Sequence, residues 1–179
     1  MKNKEKVYGM VLNAILGVLL AISGMIKMPA FIPGAEFQLS APLAVVLAAC
    51  FGFKRYFITG IIASTLNFAL GTHTIVNIIV SLVFRVVAGG IIEIFKPNLL
   101  SLSISGPVGT LMARMILAVI LNVSAWTLII GAIPGMIFTA VGANVLYPII
   151  YKIVRITVFK RYLKRKDSTK EMGRAYDII

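Results

Sequence analysis

The sequence predicts an all-α integral membrane protein: a bundle of six transmembrane helices with both termini in the cytoplasm. Three observations predict it. Hydrophobic residues make up 59% of the 179, and the mean hydropathy is +0.96, more apolar than a soluble domain of this size requires. The basic residues sort by side: Lys2, Lys4, Lys6, Lys54, Arg55, Lys96 and the tail basics from Lys152 to Arg174 fall on one predicted face, and only Lys27 lies in a loop on the other. The stretch from Thr74 to Phe95, TIVNIIVSLVFRVVAGGIIEIF, would be about 33 Å long as a helix, which matches a hydrocarbon core of about 30 Å.

Read in order, residues 1–6 form a cytoplasmic N-terminus, 7–155 the membrane domain and 156–179 a basic cytoplasmic tail beside anionic lipid. Helix 1 spans about Val7 to Ile26. It carries a ladder of small or polar residues at i, i+4 spacing, Gly9, Asn13, Gly17 and Ala21, which admits close approach of another helix, either within the bundle or from a separate membrane subunit. Lys27 to Phe37 is an apolar first loop, broken by Pro29, Pro33 and Gly34 and ending in Glu36 and Gln38. Helices 2 and 3 cover about Gln38 to Phe53 and Tyr56 to Gly71, with Lys54 and Arg55 in their turn.

Helix 4 follows from Thr74. Its polar and small residues fall on one series, Asn77, Ser81, Arg85, Gly89 and Glu93, so one stripe must face other helices or a watery cavity. Arg85 is near mid-helix, where lipid exposure would cost about 3 kcal/mol or more. Lys96-Pro97-Asn98 ends this helix, and Leu99 to Ser105 reads as a short loop. Helix 5 then runs from about Gly106 to Ile130 with a second stripe of Thr110, Arg114, Ala118, Asn122 and Trp126. The GAIPG segment, Gly131 to Gly135, reads as a tight turn. Helix 6 covers about Met136 to Val154, with Asn144 and a kink at Pro148.

This composition excludes several chemistries. Of six acidic residues, three lie in the tail and Glu5 at the other end; Glu36 and Glu93 remain, on opposite predicted sides. The lone Cys50 and lone His73 form no metal-ligand cluster, and no nucleophile motif or phosphate-cradling loop is present, so neither catalysis nor a cofactor is expected. The net charge of +12 is placed at span ends, which assigns it to the membrane surface and not to nucleic acid. What remains is binding. Asn67, His73, Asn77, Asn122, Trp126 and Asn144 lie in the predicted outer half, with Arg85 and Arg114 below them. Buried amides need partners, supplied either by neighbouring helices or by a small polar solute. The arginines either bind carbonyls or bias a site towards anions.

The size, the six predicted spans with inner termini, the small-residue ladder on helix 1 and the apolar loop before helix 2 resemble the substrate-binding S components of energy-coupling factor transporters, the bacterial vitamin-uptake systems. The resemblance covers about Val7 to Arg155. It implies a multi-pass protein of the bacterial plasma membrane that captures a micronutrient, a vitamin or its precursor, at the outer face. It also implies association with a transmembrane coupling subunit and two ATPase subunits, docked through Gly9, Asn13, Gly17 and Ala21, where the family has a pair of alanines. Carried over, the ligand site takes Glu36, His73, Asn77, Asn122, Trp126 and Asn144, with Asn67 and Arg85 added from the polar stripes. Two other classes fit the hydropathy. One is a non-transporting scaffold of cell-envelope assembly. The other is a secondary carrier, which lacks an intramembrane carboxylate in the outer half to couple a proton.

Overall fold

The computed structural model describes residues 2–29 and 36–164, with side chains over 4–26 and 38–164. Six α-helices form the fold: α1 (Lys2–Met25), α2 (Ser40–Phe51), α3 (Phe53–Ala69), α4 (Ile75–Phe95), α5 (Leu99–Leu121) and α6 (Ala125–Ile156). Two three-residue strands, β1 (Lys27–Pro29) and β2 (Glu36–Gln38), pair antiparallel after α1, with Met28 opposite Phe37. A 3-10 segment, Val158–Tyr162, follows α6. The remainder of the predicted tail, the middle of the first loop and the Glu36 side chain lie outside the described residues.

Four helices, those at Lys4–Met25, Ile75–Phe95, Leu99–Leu121 and Ala125–Ile156, are long and apolar enough to cross a membrane. Their outward faces are hydrophobic: Ile94, Val119 and Ile156 are 75%, 82% and 83% exposed. Water does not solvate such a surface well, and a multi-pass membrane protein presents it to lipid. α2, at 12 residues, is only about 18 Å long. It lies at the centre instead, packed against α1, α3, α4, α5 and α6, with every residue from Pro42 to Phe51 buried. A helix apolar on all sides is suited to that position.

Local chemistry sets the boundaries, and some differ from the sequence reading. α1 starts at Lys2, inside the predicted N-terminal segment 1–6. Gly52, at φ 80°, makes the sharp α2–α3 turn, so Lys54 and Arg55 fall in the first turn of α3. Thr74 caps α4 by accepting from the Asn77 amide. The predicted loop from Leu99 to Ser105 is helical: Asn98 and Ser101 form a reciprocal capping box that starts α5 at Leu99, and Pro107 is held inside the helix. α5 ends at Leu121, with Asn122 left-handed at φ 52°. The GAIPG segment is not a turn. It lies within the 32-residue α6, which holds both Pro134 and Pro148. Proline is tolerated in such helices because neighbours and local adjustments satisfy the freed carbonyl.

The ladder on α1 faces inward. A Cβ on Gly17 would sit 2.6 Å from Ile62 Cγ2 of α3; Ala21 is buried; Asn13 Oδ1 accepts from Arg55 Nη1 at 2.7 Å, and the Gly9 carbonyl accepts from the same nitrogen at 3.1 Å. α1 and α3 consume it in packing against each other, the first of the two alternatives the spacing left open. The opposite face of α1, with Met10, Ile15, Val18 and Ile22, is exposed.

Gly17→Val should therefore lower the apparent unfolding midpoint of detergent-purified protein by several degrees, an overpacking cost of about 1–3 kcal/mol. Gly90, where a Cβ meets nothing within 4 Å, should accept alanine with no loss of midpoint in the same scan.

Candidate functional site

The basic residues Lys4, Lys6, Lys54 and Arg55 mark one end of the bundle. From the other end a cavity of about 700 Å³ extends inward between the helices. Its polar lining comes from every part of the chain: Gln38 and Ser40 before and at the start of α2, Asn67 on α3, His73 in the turn, Asn77, Ser81 and Arg85 on α4, Thr110 and Arg114 on α5, and Thr127 and Thr139 on α6. Leu20, Ala44, Ala63, Phe84, Leu117 and Phe138 give it apolar walls. Among the described residues this lining holds two guanidinium groups and no carboxylate.

Arg85 is buried, and its Nη1 donates to Ser64 Oγ at 2.8 Å and to Ser81 Oγ at 2.9 Å. The two hydroxyl oxygens are 3.2 Å apart. Ser81 gives its own proton to the Ile78 carbonyl at 2.8 Å, which leaves Ser64 as the donor between them. Gly60 completes the seat, since a Cβ there would overlap Arg85 Nε and Cδ. One guanidinium nitrogen is thus anchored to α3 and α4; the others make no hydrogen bond to a described residue. Arg114, half-buried, makes none at all among them.

The register of α4 against α5 sets the relative level of these cations. A Cβ on Gly109 would meet Phe84 Cδ2 at 3.0 Å and Ala88 Cβ at 3.1 Å, so Gly109 lies at the level of Arg85. Arg114 starts five residues, or about 7 Å, further from the basic end. Helical side chains lean towards their own N-terminus. On these antiparallel helices Arg85 leans away from the basic end, as its bond to Ser81 shows, and Arg114 leans towards it. Both groups line the same cavity. Glu93 does not neutralise them: its Oε2 takes Lys164 Nζ at 2.8 Å and the Phe53 amide at 3.1 Å, at the basic end.

Of the predicted site residues, the structure brings Asn67, His73, Asn77 and Arg85 to the cavity. Asn122 and Trp126 do not reach it. Asn122 caps α5, and Trp126 belongs to α6, where it is 74% exposed on the apolar exterior. The break between α5 and α6 falls at 122–124, so the two cannot share a helical stripe. Asn144 is also absent from the lining; its Nδ2 donates to Ser103 Oγ and to the Ala140 carbonyl, both at 2.8 Å, and it joins α6 to α5. Glu36 is placed only by its backbone, opposite Pro29. Sequence reasoning did not assign Ser64, Thr127 or Thr139. Ser64 shares the buried face of α3 with Gly60, Ala63 and Asn67, a spacing that could have found it; Thr127 was hidden by the misplaced start of α6, and Thr139 lies in helix 6 in either reading.

Ser64→Ala removes a hydrogen bond to a buried charge, worth about 2 kcal/mol, and should lower the unfolding midpoint clearly. Thr65→Ala, whose hydroxyl bonds only the Ile61 carbonyl of its own helix at 3.0 Å, should change it little. Equal effects of the two would show that Ser64 does not support Arg85.

No protein-family model matches the chain, and no solved structure does. A curated protein does: the chain is 45% identical over 150 residues to Protein BioX of Lysinibacillus sphaericus, an alignment that covers 84% of this chain and 90% of the relative. At that identity and coverage, the chain belongs to the family of Protein BioX.

Proposed function

We propose that this protein is the substrate-binding membrane subunit of an uptake transporter for a carboxylated, biotin-related micronutrient, a vitamin or its precursor. The observation that carries the reading is the cavity lined by two arginines and no described carboxylate. Cations in a low-dielectric site call for an anionic counterpart, and an arginine offers a carboxylate a paired set of donors. Arg85 is already fixed by Ser64 and Ser81, so little of its rotamer freedom remains to be lost on binding. Apolar walls with a few convergent amides and hydroxyls suit a small organic acid. The name of the relative, Protein BioX, points towards biotin.

In this reading the basic end faces the cytoplasm, following the positive-inside bias, and the cavity faces outward. All six helices lie in the membrane, the short α2 surrounded by protein. The protein binds and does not catalyse. Ligand enters from outside and is released inward only after association with a coupling subunit and two ATPases, which hydrolyse ATP. Because the ladder on α1 packs against α3, docking of the coupling subunit falls to the exposed apolar face of α1 around Met10, Ala14 and Val18.

The test is a thermal-shift panel on detergent-purified protein, covering biotin, its precursors, other vitamins and neutral amide or ester analogues. A ligand at a thousandfold excess over Kd stabilises by about 4 kcal/mol, readily seen as a raised midpoint. One acidic, biotin-related compound should give a large shift, its neutral analogue a small one, and Arg85→Gln should abolish the shift. Asn122→Leu, away from the cavity, should leave it intact. A panel without any shift, and no small molecule copurifying in native mass spectrometry, would favour a membrane scaffold instead.

A further inference from the structure

The basic end carries a second built feature that the ligand cavity does not use. After α6 the 3-10 segment returns beneath α1 and α3. Tyr162 Oη donates to the Glu5 carbonyl at 2.8 Å. Two guanidinium groups lie against the Tyr162 ring, Arg55 with Cζ 4.5 Å from its centroid and Arg161 at 5.3 Å; Arg161 also lies 4.8 Å from the Tyr8 ring. Aromatic faces attract each cation, but two cations on one ring repel each other. Among the described residues neither arginine has an ion pair. Glu5, the carboxylate at the rim, pairs with neither, and Glu93 is taken by Lys164.

A groove of about 610 Å³ opens beside this cluster, bounded by Lys6, Gly9, Met10, Asn13, Arg55 and Tyr162, with Glu5 at its rim; one carboxylate faces two cations in this lining and a third, Arg161, behind Tyr162. Met10, 63% exposed at the groove, begins the apolar face of α1 that continues through Ile15, Val18 and Ile22. Excess positive charge therefore meets a strip of exposed hydrocarbon at one end of a membrane-length helix. An anionic phospholipid has the same division, a phosphate joined to acyl chains, and basic clusters at helix ends beside apolar faces are suited to it. A soluble phosphate would use only the first half of the feature.

We propose that this groove is a binding site for an anionic phospholipid, with its phosphate held by Lys6 and Arg55, Arg161 adding its charge from the other side of Tyr162, and its acyl chains leaving past Met10 at the end of α1. The bound lipid would neutralise the arginine pair at the point where the C-terminal segment joins α1 to α3.

The experiment compares phosphatidylglycerol with phosphatidylcholine, added to delipidated full-length protein in mixed micelles and read by native mass spectrometry and thermal shift. Phosphatidylglycerol should remain bound and raise the midpoint, with phosphatidylcholine doing neither. Arg161→Gln, which leaves the bonds of Arg55 to α1 in place, should weaken phosphatidylglycerol binding about fivefold, and Lys6→Gln by a similar factor. Both variants should keep the wild-type midpoint without lipid. Equal response to the two lipids, or unchanged affinity in both variants, overturns the site. A shift of equal size with glycerol phosphate also overturns it, and assigns the cluster to a soluble anion. None of these readouts involves the ligand cavity, so this site and the proposed ligand binding stand or fall separately, although a bound lipid and a coupling subunit would meet at Met10.

Discussion

Burying Arg85 is the constraint around which the neighbouring structure is arranged. A guanidinium at mid-bundle keeps its charge and has five donors to satisfy, in surroundings where an unpaired charge is expensive. α3 approaches α4 closely at that level: Gly60 vacates the space beside Nε and Cδ, and Ser64 comes within 2.8 Å of Nη1. α4 supplies Ser81 one turn away. On the other side of the residue, Ala88 and Gly89 are small because Gly109 of α5 and the rings of Phe53 and Tyr56 occupy the space above them; a Cβ on Gly89 would be 2.8 Å from Phe53 Cδ2. Moving Arg85 would thus require α3, α4 and α5 to repack together.

Only part of that solvation is internal. Two serines satisfy one nitrogen, and the remaining donors are left beside a cavity to which Arg114 adds a second cation. A structural arginine in a membrane bundle normally has its donors spent on carbonyls or carboxylates. Glu93 is eight residues away on the same helix, yet it ties α4 to Lys164 and to the start of α3 at the basic end. Acid and base are separated along the molecule, and the cavity keeps its positive bias. On the proposed function, that separation leaves the cavity open to an anionic ligand.

What could be read from the sequence depended on whether the signal was periodic. The α4 stripe is a property of one helix, so its inward orientation and the burial of Arg85 followed from spacing alone. The α5–α6 region was different. Glycine and proline in GAIPG are strong breakers in water, where a lost backbone hydrogen bond is replaced by solvent. In an apolar bundle, leaving the helix exposes several more backbone groups, and continuing through Pro134 is less costly. The true break, Asn122-Val123-Ser124, rests on one asparagine tolerating a left-handed conformation, a weak signal in a linear reading. This single error put Trp126 on the wrong helix and concealed Thr127. The ladder on α1 was correctly seen as a close-approach surface; spacing could not say which helix approaches, and Ile62 of α3 supplies the answer.

The two ends of the bundle are held differently, and the difference bears on transport. At the basic end, side chains and the returning C-terminal segment tie every early helix: Tyr162 to α1, Arg55 of α3 to α1, Lys164 to the Cys50 carbonyl of α2 at 2.8 Å and to Glu93 of α4. At the other end, among the described residues, the links are local: Asn67 reaches the Ala21 carbonyl at 3.4 Å, and its own carbonyl caps the α3–α4 turn through Thr72 and His73. On the proposed function, a bundle tied at the basic end and hollow at the other would exchange ligand with one side only. Local rearrangement at the basic end would have to break several charge-assisted bonds at once. Release on that side is therefore more economical if the closed bundle moves as a unit on a partner, with its own packing intact, than if it opens a second mouth.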